Sequence, residues 1–194
     1  MVETISPVVH GGRTKTYWAS LLLHVIATTA TAAAFGVMLG LIGEILRAPD
    51  TPALWILIGV ATLYAARELF ALPIPVPQLK RQVPDWWRTF YSRPVAALLY
   101  GVGLGVGYFT YLTYGTFAVV TIGAIASGDP ATGALIVGPF GLARSLALVG
   151  TGRDEADRAG ALLDKLDSLA TSRRPRLVNS LVLLCVAVAA ATAL

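Results

Sequence analysis

The chain has 194 residues, of which 56% are hydrophobic and 13% charged, and its formal net charge is +4. A soluble domain carries about 25% charged residues, so this chain has too few to cover its surface with water-facing groups. Its basic residues lie in segments between apolar runs, which argues against the continuous basic face of a nucleic-acid-binding protein. The composition therefore predicts an integral protein of the cell membrane, with the lipid bilayer as a partner and no nucleic acid.

Five apolar runs are long enough to cross a bilayer as helices, which requires about 20 residues each. They cover residues 17–46, 53–72, 94–127, 131–149 and 177–194. We therefore predict an all-α, polytopic transmembrane helical bundle of about five helices, in a single membrane domain over residues 1–194. The first and third runs exceed a perpendicular span, so each must tilt, project into water or break.

Positive charge predicts the orientation of these helices, because Lys and Arg concentrate on the cytoplasmic side. The N-terminal tail holds two basic residues, the loop after the second run four and the loop after the fourth run six, whereas the opposite side holds only Arg47. We expect a cytoplasmic N-terminus and a C-terminus outside. Residues 153–170 place leucines on one helical face, which predicts a cytoplasmic amphipathic helix.

Two pairs of segments suggest an internal repeat of two helices. Residues 35–43, Phe-Gly-Val-Met-Leu-Gly-Leu-Ile-Gly, match residues 100–107, Tyr-Gly-Val-Gly-Leu-Gly-Val-Gly. Residues 63–69, Leu-Tyr-Ala-Ala-Arg-Glu-Leu, match residues 141–146, Gly-Leu-Ala-Arg-Ser-Leu. The pattern predicts a parallel duplication, although similar glycine-rich strings also arise by chance. Glycines four residues apart in both copies favour close helix packing, either within the bundle or at a dimer face.

Ionisable side chains inside apolar runs are candidates for function because they are costly in lipid. Arg67 and Arg144 occupy matching positions of the repeat and, with Glu68, could flank a polar path and bind or gate an anion. The alternative is that the arginines snorkel to headgroups or pair locally. His24 lies inside the first run, where it could relay protons or bond to a neighbouring helix.

Hydroxyl groups recur every three residues in the third run. Thr110, Tyr111, Thr113 and Tyr114 are the candidates for a polar seam with threonines of the first run, such as Thr28. Such hydroxyls must find partners in hydrocarbon, so interhelical hydrogen bonding is the alternative to a conduit. The sequence contains no chelating histidine pair, serine–histidine set or phosphate loop, and it indicates no metal site and no particular cofactor.

The glycine-rich third run and the stretch Gly-Ala-Leu-Ile-Val-Gly-Pro-Phe-Gly-Leu-Ala-Arg at residues 133–144 resemble the CcdA/DsbD-like membrane proteins. The resemblance covers residues 32–149 and implies a relationship to the superfamily that includes lysine exporters. Redox members of that family use one intramembrane cysteine in each repeat, whereas this chain has a single cysteine, Cys185, in its last run. No functional residue therefore transfers, and the inverted repeats of the family differ from the parallel repeat predicted here.

Three hypotheses about function follow. The first is a small, non-enzymatic transporter or exporter of a solute or ion, in which Arg67 and Arg144 set selectivity. The second is a non-catalytic subunit or assembly factor of a larger membrane complex. The third is a cysteine-free relative of the membrane redox proteins, which would need a bound cofactor such as haem or quinone. Either a homo-oligomer or a membrane complex is expected.

Overall fold

The computed structural model describes residues 14–46, 50–78, 86–110, 112–151 and 173–194. Its helices are α1 (Lys15–Leu46), α2 (Asp50–Phe70), α3 (Trp87–Phe90), α4 (Arg93–Gly105), α5 (Thr116–Ala126), α6 (Pro130–Thr151) and α7 (Arg173–Ala191). These residues contain no β-strand, so the all-α prediction is confirmed for them. The predicted amphipathic helix at 153–170 lies outside the described residues, as does Tyr111.

Three of the helices are long and apolar enough to cross a membrane, judged by length and composition. They are α1, α2 from Thr51 to Phe70, and α7 with its extension to Thr192. Their outer faces carry large apolar side chains that are mostly exposed, such as Leu22 at 60%, Trp55 at 61% and Leu181 at 61%. A helix of a soluble domain places polar residues on that face.

The third predicted run, 94–127, does not form one helix. It divides into α4 and α5, and the described residues between them, 106–110 and 112–115, lie outside both helices. Gly107 has a φ of 72° in this segment, a value that glycine adopts readily and other residues rarely do. A right-handed α-helix requires a negative φ at every residue, so the helix cannot continue through Gly107. By contrast, α6 continues through Pro139.

Contacts divide the chain into two compact units, each assembled from three segments. Among the described residues, unit 1 comprises 14–35, 86–110 and 138–151, and unit 2 comprises 36–46 with 50–78, 112–137 and 173–194. Neither unit is one contiguous half of the chain, so neither corresponds to a copy of the predicted two-helix repeat. The duplication itself stays a prediction.

Close backbone contact holds the helices of unit 1 together. A Cβ atom added at Gly105 of α4 would lie 2.6 Å from the carbonyl oxygen of Thr28, and one at Gly141 of α6 would lie 2.8 Å from the same atom. Both distances are shorter than real side chains tolerate, so only glycine permits α4 and α6 to approach α1 this closely. This is the packing that the glycine spacing favours.

Small residues also form the core of unit 2. Ala61, Tyr64 and Ala65 of α2 pack with Ala118 of α5 and Leu183 of α7. The hydroxyl group of Ser180 donates a hydrogen bond of 3.0 Å to the carbonyl oxygen of Ala65, which links α7 to α2. The core therefore combines close apolar packing with an interhelical hydrogen bond.

Candidate functional site

In unit 2 the chain turns at the end of α2 and returns along the same helix. The turn occurs at Ala71, which has a φ of 51°, and residues 72–78, here called the proline strap, follow it. Ile74 and Val76 pack against the core of the unit, whereas the prolines at 73, 75 and 77 are exposed. Proline has no amide hydrogen, so side chains rather than a neighbouring strand hold this segment in place.

Two side chains of α2 donate hydrogen bonds to carbonyl groups of the proline strap. Arg67 Nε donates to the carbonyl oxygen of Ile74 at 2.7 Å. The hydroxyl group of Tyr64 donates to the carbonyl oxygen of Pro75 at 3.2 Å. At the far end of the strap, the amide of Leu112 donates to Gln78 Oε1 at 2.5 Å. The strap is therefore attached at both ends within unit 2.

Arg67 also forms an ion pair with Glu68, through its Nη1 and Glu68 Oε1. The Glu68 side chain is only 3% exposed and that of Arg67 is 20% exposed. The same Nη1 lies 3.5 Å from the carbonyl oxygen of Thr113. A buried carboxylate requires a partner charge, and Arg67 supplies it. This geometry matches local pairing, the alternative to a role in a polar path.

A cleft of about 110 Å³ opens beside this ion pair. Arg67 and Glu68 line it together with Tyr114 and with Arg176 from the first turn of α7. The residues that line the cleft thus include two arginines and one glutamate. The two arginines favour an anionic ligand, because guanidinium groups bind carboxylates and phosphates through paired hydrogen bonds.

In unit 1, Arg144 of α6 is held by neutral groups. Its Nη2 donates to Thr110 Oγ1 at 2.8 Å, and its Nη1 lies 3.5 Å from the carbonyl oxygen of Leu104. Its guanidinium carbon lies 5.5 Å from the centre of the Phe140 ring. Leu104 belongs to the last turn of α4, where carbonyl groups lack helical partners and attract cations. Arg144 therefore connects α6 to the C-terminal end of α4.

His24 lies in the interior of unit 1 with no exposed surface. Its Nδ1 is 3.1 Å from the carbonyl oxygen of Ala97 on α4. Because a carbonyl group only accepts hydrogen bonds, Nδ1 carries the hydrogen, and Nε2 of the neutral ring is an acceptor. Among the described residues, neither His24 Nε2 nor the Ser20 hydroxyl one turn earlier has a hydrogen-bond partner. The interhelical bond is the one expected as the alternative to a proton relay.

The predicted polar seam stays a prediction, and three of its residues, Thr110, Thr113 and Tyr114, lie between α4 and α5, outside both helices. Thr110 donates to the carbonyl oxygen of Gly107 at 2.9 Å and accepts from Arg144 in unit 1. Thr113 offers its carbonyl group to Arg67 in unit 2, and Thr116 bonds to Asn179 of α7. The hydroxyl-bearing residues thus serve separate local contacts, as the hydrogen-bonding alternative expects, and Tyr114 lines the cleft.

Sequence reasoning missed Arg176 and the packed proline strap. Arg176 was assigned to a loop because the predicted fifth span begins at residue 177, whereas α7 begins at Arg173. The strap prolines predict an extended path, but not its contact with α2. The alternation of proline with Ile74 and Val76 was an available signal, since a period of two indicates an extended segment with one buried face.

The chain is similar to several proteins named methylamine utilization protein MauF. It is 34% identical to that of Methylophilus methylotrophus over 135 residues, which are 68% of this chain and 47% of the relative. It is 32% identical to that of Methylobacillus flagellatus, over 63% of this chain and 44% of the relative. It is 30% identical to that of Paracoccus versutus, over 75% of this chain and 54% of the relative.

The chain therefore spans about half the length of the curated relatives it matches. No protein-family model matches it, and no solved structure does.

These similarities correct two expectations from the sequence. The resemblance to CcdA/DsbD-like proteins is wrong, since the relatives carry the name MauF. The prediction of a transporter or exporter is also wrong, because these relatives are named for methylamine utilization. The misleading signal was the pattern of glycines within apolar segments. Such a pattern permits close packing of helix backbones, and it occurs in unrelated membrane proteins for the same reason.

Proposed function

We propose that this chain is an integral protein of the cell membrane that acts as an accessory component in methylamine utilization. The observation that carries the proposal is the 34% identity to MauF of Methylophilus methylotrophus over 135 residues. Because those residues are 47% of the relative, the proposal concerns the part of the relative's role that resides in the shared segment.

The membrane location is part of the same proposal. It is supported by three helices with the length and composition of membrane spans and by the apolar side chains exposed on their outer faces. The distribution of Lys and Arg supports a cytoplasmic N-terminus and an external C-terminus. The hydrogen bonds of Arg144 and His24 stay within unit 1, so we assign these two residues to shaping the protein.

A chimaera tests the proposal directly. In a Paracoccus versutus strain that lacks its own MauF, the aligned segment of that protein, 54% of its length, is replaced by the matching part of this chain. We expect the chimaera to restore growth with methylamine as the sole nitrogen source. A MauF that lacks the segment is the matched control and should not restore growth.

Two further measurements make this result decisive. Growth with ammonium should be equal in all strains, and an immunoblot of the membrane fraction should detect the chimaera. A chimaera that is present in the membrane but fails to restore growth on methylamine would contradict the proposal.

A further inference from the structure

We propose that the cleft at the proline strap is a binding site for a phosphate group. The inference uses only the geometry of the cleft and goes beyond the proposed role in methylamine utilization. The argument uses four of the residues that line the cleft: Arg67, Glu68, Tyr114 and Arg176.

The charge of the cleft is not balanced by the residues that line it. Glu68 is paired with Arg67, whereas Arg176 has no ion-pair partner within the described part of the chain. Arg176 also lies in the first turn of α7, where the helix dipole disfavours a positive charge. An anion bound in the cleft would pair with Arg176 and would offset the unfavourable interaction of this arginine with the helix dipole.

The donors that remain available come from three separate elements. Arg67 uses Nε for Ile74 and Nη1 for Glu68 and Thr113, which leaves its Nη2 without a hydrogen bond among the described residues. The Arg176 guanidinium lies on α7, and Tyr114 lies in the segment before α5. A phosphate group presents several acceptor oxygens in different directions, so it can accept from donors that surround it.

The buried carboxylate of Glu68 does not prevent anion binding. Its ion pair with Arg67 neutralises it, and it holds that guanidinium at the wall of the cleft. The phosphate has two possible sources, a lipid headgroup and free phosphate. Both present the same oxygen atoms to the site, so the experiment must distinguish them.

Binding is measured on the purified full chain in detergent, stripped of lipid. One arm titrates inorganic phosphate by calorimetry, and the other adds phosphatidylglycerol or uncharged diacylglycerol and measures retention by native mass spectrometry. The test variant is Arg176→Gln. The matched control is Arg173→Gln, which removes the same charge from the same helix turn at an exposed residue that does not line the cleft. Arg67 is left intact because its loss would unpair Glu68.

We expect wild type and Arg173→Gln to bind equally, and Arg176→Gln to bind at least about tenfold more weakly, which is about 1.4 kcal/mol. If the loss affects phosphatidylglycerol alone, the source is a lipid headgroup; if it affects inorganic phosphate as well, the site accepts any phosphate. Equal losses in both variants would indicate diffuse charge attraction and would overturn the proposal. It is also overturned if wild type binds neither phosphate compound better than diacylglycerol. Neither result affects the growth test, which does not depend on the cleft.

Discussion

Two arginines in similar local sequences are held by different kinds of partner. Arg67 lies in Ala-Ala-Arg-Glu-Leu and Arg144 in Leu-Ala-Arg-Ser-Leu. In unit 2, the next residue along the chain, Glu68, provides a buried counter-charge. In unit 1 the corresponding residue is Ser145, and Arg144 instead binds a hydroxyl group, a helix-terminal carbonyl group and an aromatic ring.

The difference shows that the position of an arginine does not decide its role. Removing either partner of a buried ion pair strongly destabilises the fold, because it leaves an uncompensated buried charge. Hydrogen bonds to neutral groups leave only polar atoms behind when the cation is removed. The two sites should therefore respond unequally to the same substitution.

The largest effect is expected for Arg67→Met. Glu68, with a side chain only 3% exposed, would lose its partner charge, and the proline strap would lose the bond to Ile74. We expect unfolding in detergent to become easier by about 3–5 kcal/mol, measured by denaturant titration. The double variant Arg67→Met with Glu68→Gln is the control and should recover much of that loss. Equal stability of the single and double variants would show that the ion pair is not the cause.

Arg144→Met should have a smaller effect on the same measurement. The variant loses hydrogen bonds from a charged donor, which contribute about 1.5–3 kcal/mol, but it leaves no buried carboxylate among the described residues. Thr110 keeps its bond to the carbonyl oxygen of Gly107. Arg173→Met, at an exposed position, serves as the neutral reference. A loss at Arg144 as large as that at Arg67 would remove the distinction between the two sites.

Gly105→Ala tests the packing that positions α4 beside α1 in unit 1. The new Cβ would lie 2.6 Å from the carbonyl oxygen of Thr28, so the helices must separate, at a cost of about 1–3 kcal/mol. Gly59→Ala in α2 is the matched control, because no atom lies within 4 Å of its added Cβ. It should leave stability unchanged or raise it by up to about 1 kcal/mol. Equal stability of the two variants would contradict close packing at Gly105.

The apolar runs allowed much of the helical structure to be predicted. The predicted first span, 17–46, corresponds to α1 at Lys15–Leu46, and the fifth, 177–194, to α7 at Arg173–Ala191. Long apolar runs have few alternatives to a helix, since the backbone must satisfy its own hydrogen bonds in lipid. The third run was harder to interpret, because its glycines permit both close helix packing and a break.

The candidate residues could be identified from the sequence, but their partners could not. Arg67, Glu68 and Arg144 stand out because charged residues are rare in apolar runs. That Arg67 also holds the proline strap depends on a turn after α2. That Arg176 lines the same cleft depends on packing between segments more than 100 residues apart in the chain.

The sequence by itself determined the helical class, the apolar outer faces and the charged residues available for function, because each follows from local composition and periodicity. The tertiary structure alone decided which partners those charges have. The partners of Arg144 depend on how α4 and α6 pack within unit 1, where glycine contacts bring both helices close to α1. The further contacts of Arg67 depend on the path of the proline strap within unit 2. Arg67 therefore forms an ion pair in unit 2, whereas Arg144 contacts the C-terminal end of a helix in unit 1.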